Sequence, residues 1–165
     1  MARGSILDKL VQQARILATQ GSADAFVTAQ LSTGISTAAR FGWMIHQIDL
    51  TLAVAVAAAP QTSDCDVVMQ VTQGEEAAAL QGASAAAVIC ERRIAIPGIA
   101  AAVNAYPLEL VHSWKAPPNY VIVDPTVNLA LDSTNTGVAN SVVAVIHYFP
   151  VMLDELDILR LIALR

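Results

Sequence analysis

Residues 44–56 read MIHQIDLTLAVAV. Their even positions, Met44, His46, Ile48, Leu50, Leu52, Val54 and Val56, are apolar or aromatic, while from residue 47 onward the odd ones hold Gln47, Asp49, Thr51 and then alanines. Successive side chains of a strand leave opposite faces, so a two-residue repeat marks a strand with one face on a core. Pro60 and the Thr62-Ser63-Asp64 that follows end it.

Working outward, Gly, Pro, Asn and Asp clusters divide the chain after Gly21 into eight stretches of strand length, at about residues 24–33, 44–56, 67–72, 86–96, 106–115, 119–123, 127–131 and 142–149. Gly74 to Gly82 encloses EEAAALQ, which predicts one or two turns of helix. Asp132 to Ser141 is the most polar stretch of the second half and reads as an exposed loop, with Asn135-Thr136-Gly137 suited to positive φ. Val142 to Phe149 is apolar at nearly every position, the pattern of a strand covered on both faces.

Both ends read as helices. In residues 5–19, Ile6, Leu7, Leu10, Val11, Ala14, Leu17 and Ala18 fall at helical spacing, with Ser5 as N-cap and Gly21 as stop. At about 154–164, Asp154 caps, Glu155 and Asp157 occupy the first turn, and Leu156, Ile158, Leu159 and Ile162 share a face, with Arg160 and Arg165 late in the segment. The expected organisation is an N-terminal helix or arm over 1–21 and a mainly β domain over 22–165. That domain is a two-sheet antiparallel sandwich; the jelly roll is one eight-stranded version, and another Greek-key topology fits the pattern as well.

Residues 119–162, NYVIVDPTVNLALDSTNTGVANSVVAVIHYFPVMLDELDILRLI, resemble in cadence the end of single jelly-roll virion proteins: a strand, a polar loop, then a long apolar strand closing on an aromatic. The resemblance implies a shell subunit whose partners are copies of itself and other virion proteins. Many such proteins carry a basic N-terminal arm for packaging a genome, whereas residues 1–20 offer only Arg3, Lys9 and Arg15 against Asp8.

Composition points the same way. Hydrophobic residues make up 55% and charged residues 14% of the 165, against a usual charged share of about 25%. A monomer with so few charges lacks groups to cover itself, although much of the apolar excess is alanine. The net charge of −5 and nine dispersed Lys and Arg residues argue against direct nucleic-acid binding, and Arg92-Arg93 reads as a solvated strand end. Apolar runs are too short for a transmembrane helix, and the charged N-terminus does not resemble a secretory signal. The expected location is therefore the virion if the protein is viral and the cytoplasm otherwise.

The residues that carry chemistry are few and dispersed. His46, His112 and His147 each fall inside a strand without metal-ligand spacing and read as core histidines; a metal held between His46 and His112 is the sharper alternative. Gly82-Ala83-Ser84-Ala85-Ala86 lacks the last glycine of a nucleophile elbow. Cys65 sits between Asp64 and Asp66, which disfavour a thiolate, and Cys90 reads as a small buried hydrophobe. Asp64, Asp66, Glu75 and Glu76 read as a solvated acidic edge with an open possibility of calcium. Nucleotide-loop motifs are absent, and Trp43, Trp114, Tyr106, Tyr120 and Tyr148 are not interleaved with basic residues as a base-stacking platform would be.

The expectation is a non-enzymatic, self-assembling structural protein without cofactor or metal, a capsid or virion subunit. Its candidate interface residues are Leu7, Leu10, Val11 and Leu17 in the first helix and Ile158, Leu159 and Ile162 in the last. The other reading is a β-sandwich binding module that recognises a carbohydrate or surface through the 132–141 loop.

Overall fold

A computed structural model describes residues 5–6, 10–36, 40–54, 64–82, 85–96 and 108–163. The elements are β1 (Ser5–Ile6), β2 (Gln12–Thr19), β3 (Val27–Ser32), β4 (Phe41–Val54), β5 (Cys65–Gln73), β6 (Val88–Ile96), β7 (Leu108–Lys115), β8 (Val121–Ile122), β9 (Thr126–Thr134), β10 (Ser141–Met152) and α1 (Glu155–Ala163). Each of the eight stretches read as strands overlaps one of β3 to β10. All pairings are antiparallel. Sheet A runs β2–β10–β4–β7, with β1 on the β2 side of β10 and β8 on β4; sheet B runs β3–β9–β5–β6.

The core lies between the sheets. Ile16, Ala144 and Leu50 form one cross-strand row of sheet A, and Ala18, Val142 and Leu52 the next. Sheet B brings Met69 beside Leu131 and Val71 beside Leu129, and all ten side chains are buried in one cluster. Each large apolar side chain there contributes roughly 1.5–3 kcal/mol relative to exposure.

The described part of the N-terminal helix expected over residues 5–19 is strand and not helix: Ser5–Ile6 is β1 and Gln12–Thr19 is β2, while residues 7–9 lie outside the described residues. Helical and strand readings share Ala14 and Ala18, and Ile16 separates them. A helix facing inward through Leu10, Ala14 and Leu17 leaves Ile16 off its apolar face, whereas a strand buries Ala14, Ile16 and Ala18 together. Ile16 and Ala18 are indeed buried, and β10 supplies an edge to which the whole of Gln12–Thr19 bonds. Tertiary pairing overrides a weak local preference. Residues 12–19 are thus an edge strand of sheet A.

In the quoted stretch the alternation is interrupted. His147 pairs with Gln47 but Tyr148 pairs with Ile45, which leaves His46 as the extra residue of a β-bulge. On one side of the bulge Ile48, Leu50 and Leu52 face the core; on the other Trp43 and Ile45 do. Met44 and His46 are therefore turned away from the main core, contrary to their even parity. Trp43 stacks on Tyr148 at 3.9 Å.

Residues 74–82 form no helix; they lie as a strap across the outer face of sheet B. The Gln70 amide acts as a surrogate backbone: its Nε2 donates to Gln81 O at 2.9 Å, and Gln81 N donates to its Oε1 at 3.0 Å. Asn128 Nδ2 donates to Gly74 O at 2.9 Å, and Thr28 bonds Glu76. Gly74 has φ of 93°, a turn that favours glycine. Beneath the strap Gln70, Thr72, Asn128 and Ala130 are buried although they point away from the core.

The C-terminal helix forms where expected. Asp157 N donates to Asp154 Oδ1 at 2.7 Å, an N-cap. Ile158 and Leu161 pack with Val123, Val151 and Leu153 in a second cluster that also meets Met44 and Val121. These partners lie on the outer side of sheet A, so α1 covers one end of that face. A Cβ on Gly42 would come within 2.8 Å of Ile122 O and 3.0 Å of Leu153 Cδ1, so only glycine permits this closure.

Candidate interaction surface

The other end of sheet A's outer face is built by the odd residues of β10 and their neighbours. Register places Leu17, Val143, Thr51 and Val111 in one row, Arg15, Val145, Asp49 and Ser113 in the next, and Gln13, His147, Gln47 and Lys115 in a third. Val143 and Val145 are half-buried, while Leu17 is 56% and Val111 65% exposed. Short valines between longer side chains make a trough of about 480 Å³ lined by Gln13, Ala14, Arg15, Thr51, Val143 and Val145. Among the described residues no segment covers it as the strap covers sheet B. The expectation that β10 is covered on both faces holds for its inner side, where Val142, Ala144 and Ile146 are buried.

A polar network bounds the trough. Asp49 Oδ1 accepts from Ser113 Oγ at 2.5 Å and from Gln47 Nε2 at 2.7 Å, and Asp49 Oδ2 lies 2.9 Å from His147 Nε2. Burial pushes the Asp49 carboxyl up, but the donors Ser113, Gln47 and His147 outweigh it and hold the pKa below its ordinary value. Gln13 Nε2 reaches His147 Nδ1 at 3.4 Å, linking β2 to the same network. With the carboxylate between serine and histidine, the imidazole is held on Asp49 and not on the hydroxyl, so the order is not that of a Ser-His-Asp triad.

The remaining candidates settle into structural places. His147 faces outward on sheet A and His46 is exposed at the bulge, its ring 6.2 Å from Phe149; both depart from the core reading. His112 is half-buried beside Leu50. Among the described residues no group of three or more His, Cys, Asp or Glu is placed to hold a metal. Asp66 pairs with Arg93 and Glu76 with Thr28, so these acids are dispersed over sheet B. Burial, then the charges of Asp24 and Asp64, raises the Cys65 thiol; burial pushes Cys90 up to about 12. Ser84 lies outside the described residues.

The 132–141 segment is less exposed than its polarity predicts. β9 extends to Thr134, and Thr136 and Asn140 are buried. Asp24 Oδ1 accepts from Thr136 N and Oγ1, both at 2.8 Å, and Gln20 Oε1 accepts from Asn140 N at 2.9 Å and Ser133 Oγ at 3.1 Å. Asn135 and Gly137 take the positive φ expected of them, 59° and 70°. Polarity here serves internal hydrogen bonds, which periodicity does not reveal.

Of the candidate interface residues, Leu10 and Val11 are exposed just before β2, and Leu17 borders the trough. Ile158 turns inward and is taken up by the chain's own second cluster, because α1 packs on its own sheet. Leu159 is 58% exposed and Leu156 56%, giving α1 an outward apolar pair. Leu7 and the side chain of Ile162 lie outside the described residues. Val111 and Leu156 were not among the named candidates; Val143 and Val145 were not named singly, although they belong to the apolar strand Val142 to Phe149, which with the terminal segments was expected to carry the interaction.

No family model matches the chain, and no curated protein matches it. Among solved structures it is similar to that of Desmodium yellow mottle tymovirus, with 13% identity over 88% of this chain and 90% of that chain at a TM-score of 0.33. It is similar also to that of broad bean stain virus, at 12% identity, 94% and 90% coverage and a TM-score of 0.39. A third is a PRD1 vertex protein, at 12% identity, 88% and 99% coverage and a TM-score of 0.33.

Proposed function

We propose that this chain is a jelly-roll subunit that assembles with copies of itself into a shell, and that it works as a non-enzymatic structural protein of a virion. The strand orders β2–β10–β4–β7 and β3–β9–β5–β6, with most connections crossing between sheets, support the jelly-roll reading. The observation that carries the function is the uncovered apolar trough floored by Val143 and Val145, with Leu17 and Val111 exposed in the row that contains Val143. Uncovered patches of this kind mark surfaces that meet other proteins. Among the described side chains Leu10, Val11, Leu17 and Leu159 remain the interface candidates, joined by Leu156, and Leu7 and Ile162 stay candidates from the sequence. Recognition through the 132–141 loop draws less support, since Thr136 and Asn140 are turned inward. Light scattering and electron microscopy on the purified chain test the reading: large closed particles or rings are expected, and a monomer at every concentration overturns it.

A further inference from the structure

Two unpaired apolar features occur on sheet A's outer side. One is the trough; the other is the outward pair Leu156 and Leu159, three residues apart and so on one face of α1. Their electrostatics are complementary. The trough rows carry Arg15 and Lys115, with the Asp49 carboxylate engaged by Ser113, Gln47 and His147, whereas α1 opens on Glu155, an exposed carboxylate 3.5 Å from the exposed Arg40 of its own chain that can exchange this surface partner for another, and carries Arg160 only in its last turn. A molecule's own helix does not reach its own trough. Ile158 anchors α1 beside Val151, and the six residues from Val151 back to Val145 span roughly 20 Å of strand. The occupant must come from another copy.

We propose that α1 of one copy docks in the trough of a second, setting Leu156 and Leu159 on Val143 and Val145 with Glu155 towards Arg15. This deepens the self-assembly reading and rests on it. The contact joins two different surfaces, so it is head-to-tail: every open assembly retains one free helix and one free trough at its two ends, and association continues until a ring or shell closes.

Two substitutions separate the halves of the contact. Leu159→Lys spoils the helix and leaves the trough; Val145→Lys spoils the trough and leaves the helix. Sedimentation velocity is expected to show wild type above monomer mass, each variant alone as monomer, and an equimolar mixture as a dimer with nothing larger, because one good contact then remains per pair. Leu156→Lys and Val143→Lys form a second pair, used if thermal melting followed by circular dichroism shows either first variant unfolded. A mixture that stays monomeric while wild type assembles overturns the docking, as does a folded single variant that assembles like wild type. A monomeric wild type overturns self-assembly itself.

Discussion

The two sheets are finished differently on their outer sides. Sheet B is sealed by its own chain: the 74–82 strap lies on β5 and β9, so Gln70 and Ala130 are buried at positions that alternation assigns to the surface. Sheet A is sealed at one end by α1 and leaves Val143 and Val145 in an uncovered trough at the other. Outward side chains of sheet B thus serve folding, while those of sheet A's open end are free to serve association. β10 presents apolar residues outward without a strap, and an apolar surface that folding does not cover is available to another molecule.

Ala130→Lys is the most severe way to break this contrast. It places a charge beneath the strap, where desolvation costs several kcal/mol, and loss of cooperative melting is expected by circular dichroism. A melting temperature close to wild type would mean that the strap does not seal the sheet.

Alkaline pH comes next. Cys90 on β6 is buried, and its folded pKa is raised from 9.0 to about 12. The raised value keeps the proton on the folded thiol after the unfolded one has lost it, so this group's contribution is intact below pH 9 and is lost as pH rises towards 12. Over that window denaturant titrations should show stability falling by about 1.4 kcal/mol per pH unit. Cys90→Ala should make that slope shallower, the raised Cys65 thiol and Tyr148 hydroxyl keeping a remainder of the same sign, and an unchanged slope would show that Cys90 is not closed to solvent.

Gln70→Leu sharpens the contrast at the strap itself. It leaves Gln81 N and O without their partners and is expected to cost about 1–3 kcal/mol. Amide exchange at Gln81 should accelerate, and protection equal to wild type would assign the strap's order to something else. The smallest effect is expected for Val111→Lys on sheet A, within about 0.5 kcal/mol of wild type. A larger loss in a monomeric sample would show that the open face contributes to folding.

Much of this architecture was legible in the chain. Period-two patterning located β3 to β10, and Asp154 with its acidic first turn marked α1, because alternation and capping act within a few residues. Only part of the candidate surface was legible. Leu17 and Leu159 were among the predicted contacts, but Val143 and Val145 lie in a strand apolar on both parities, where pattern cannot say which side meets the core. His147 was assigned inward for the same reason. The His46 bulge reverses parity within one strand, and no local signal announces it.

What the amino-acid sequence determined by itself was the class of the fold: a run of strands with a helix at its end, two apolar faces to be brought together, and an apolar surplus. Tertiary structure alone decided that residues 12–19 form a strand, since Gln12–Thr19 takes its hydrogen bonds from β10, more than 120 residues away. It also decided which outer face is open, because cover comes from strap and helix packing over distances that no local pattern encodes.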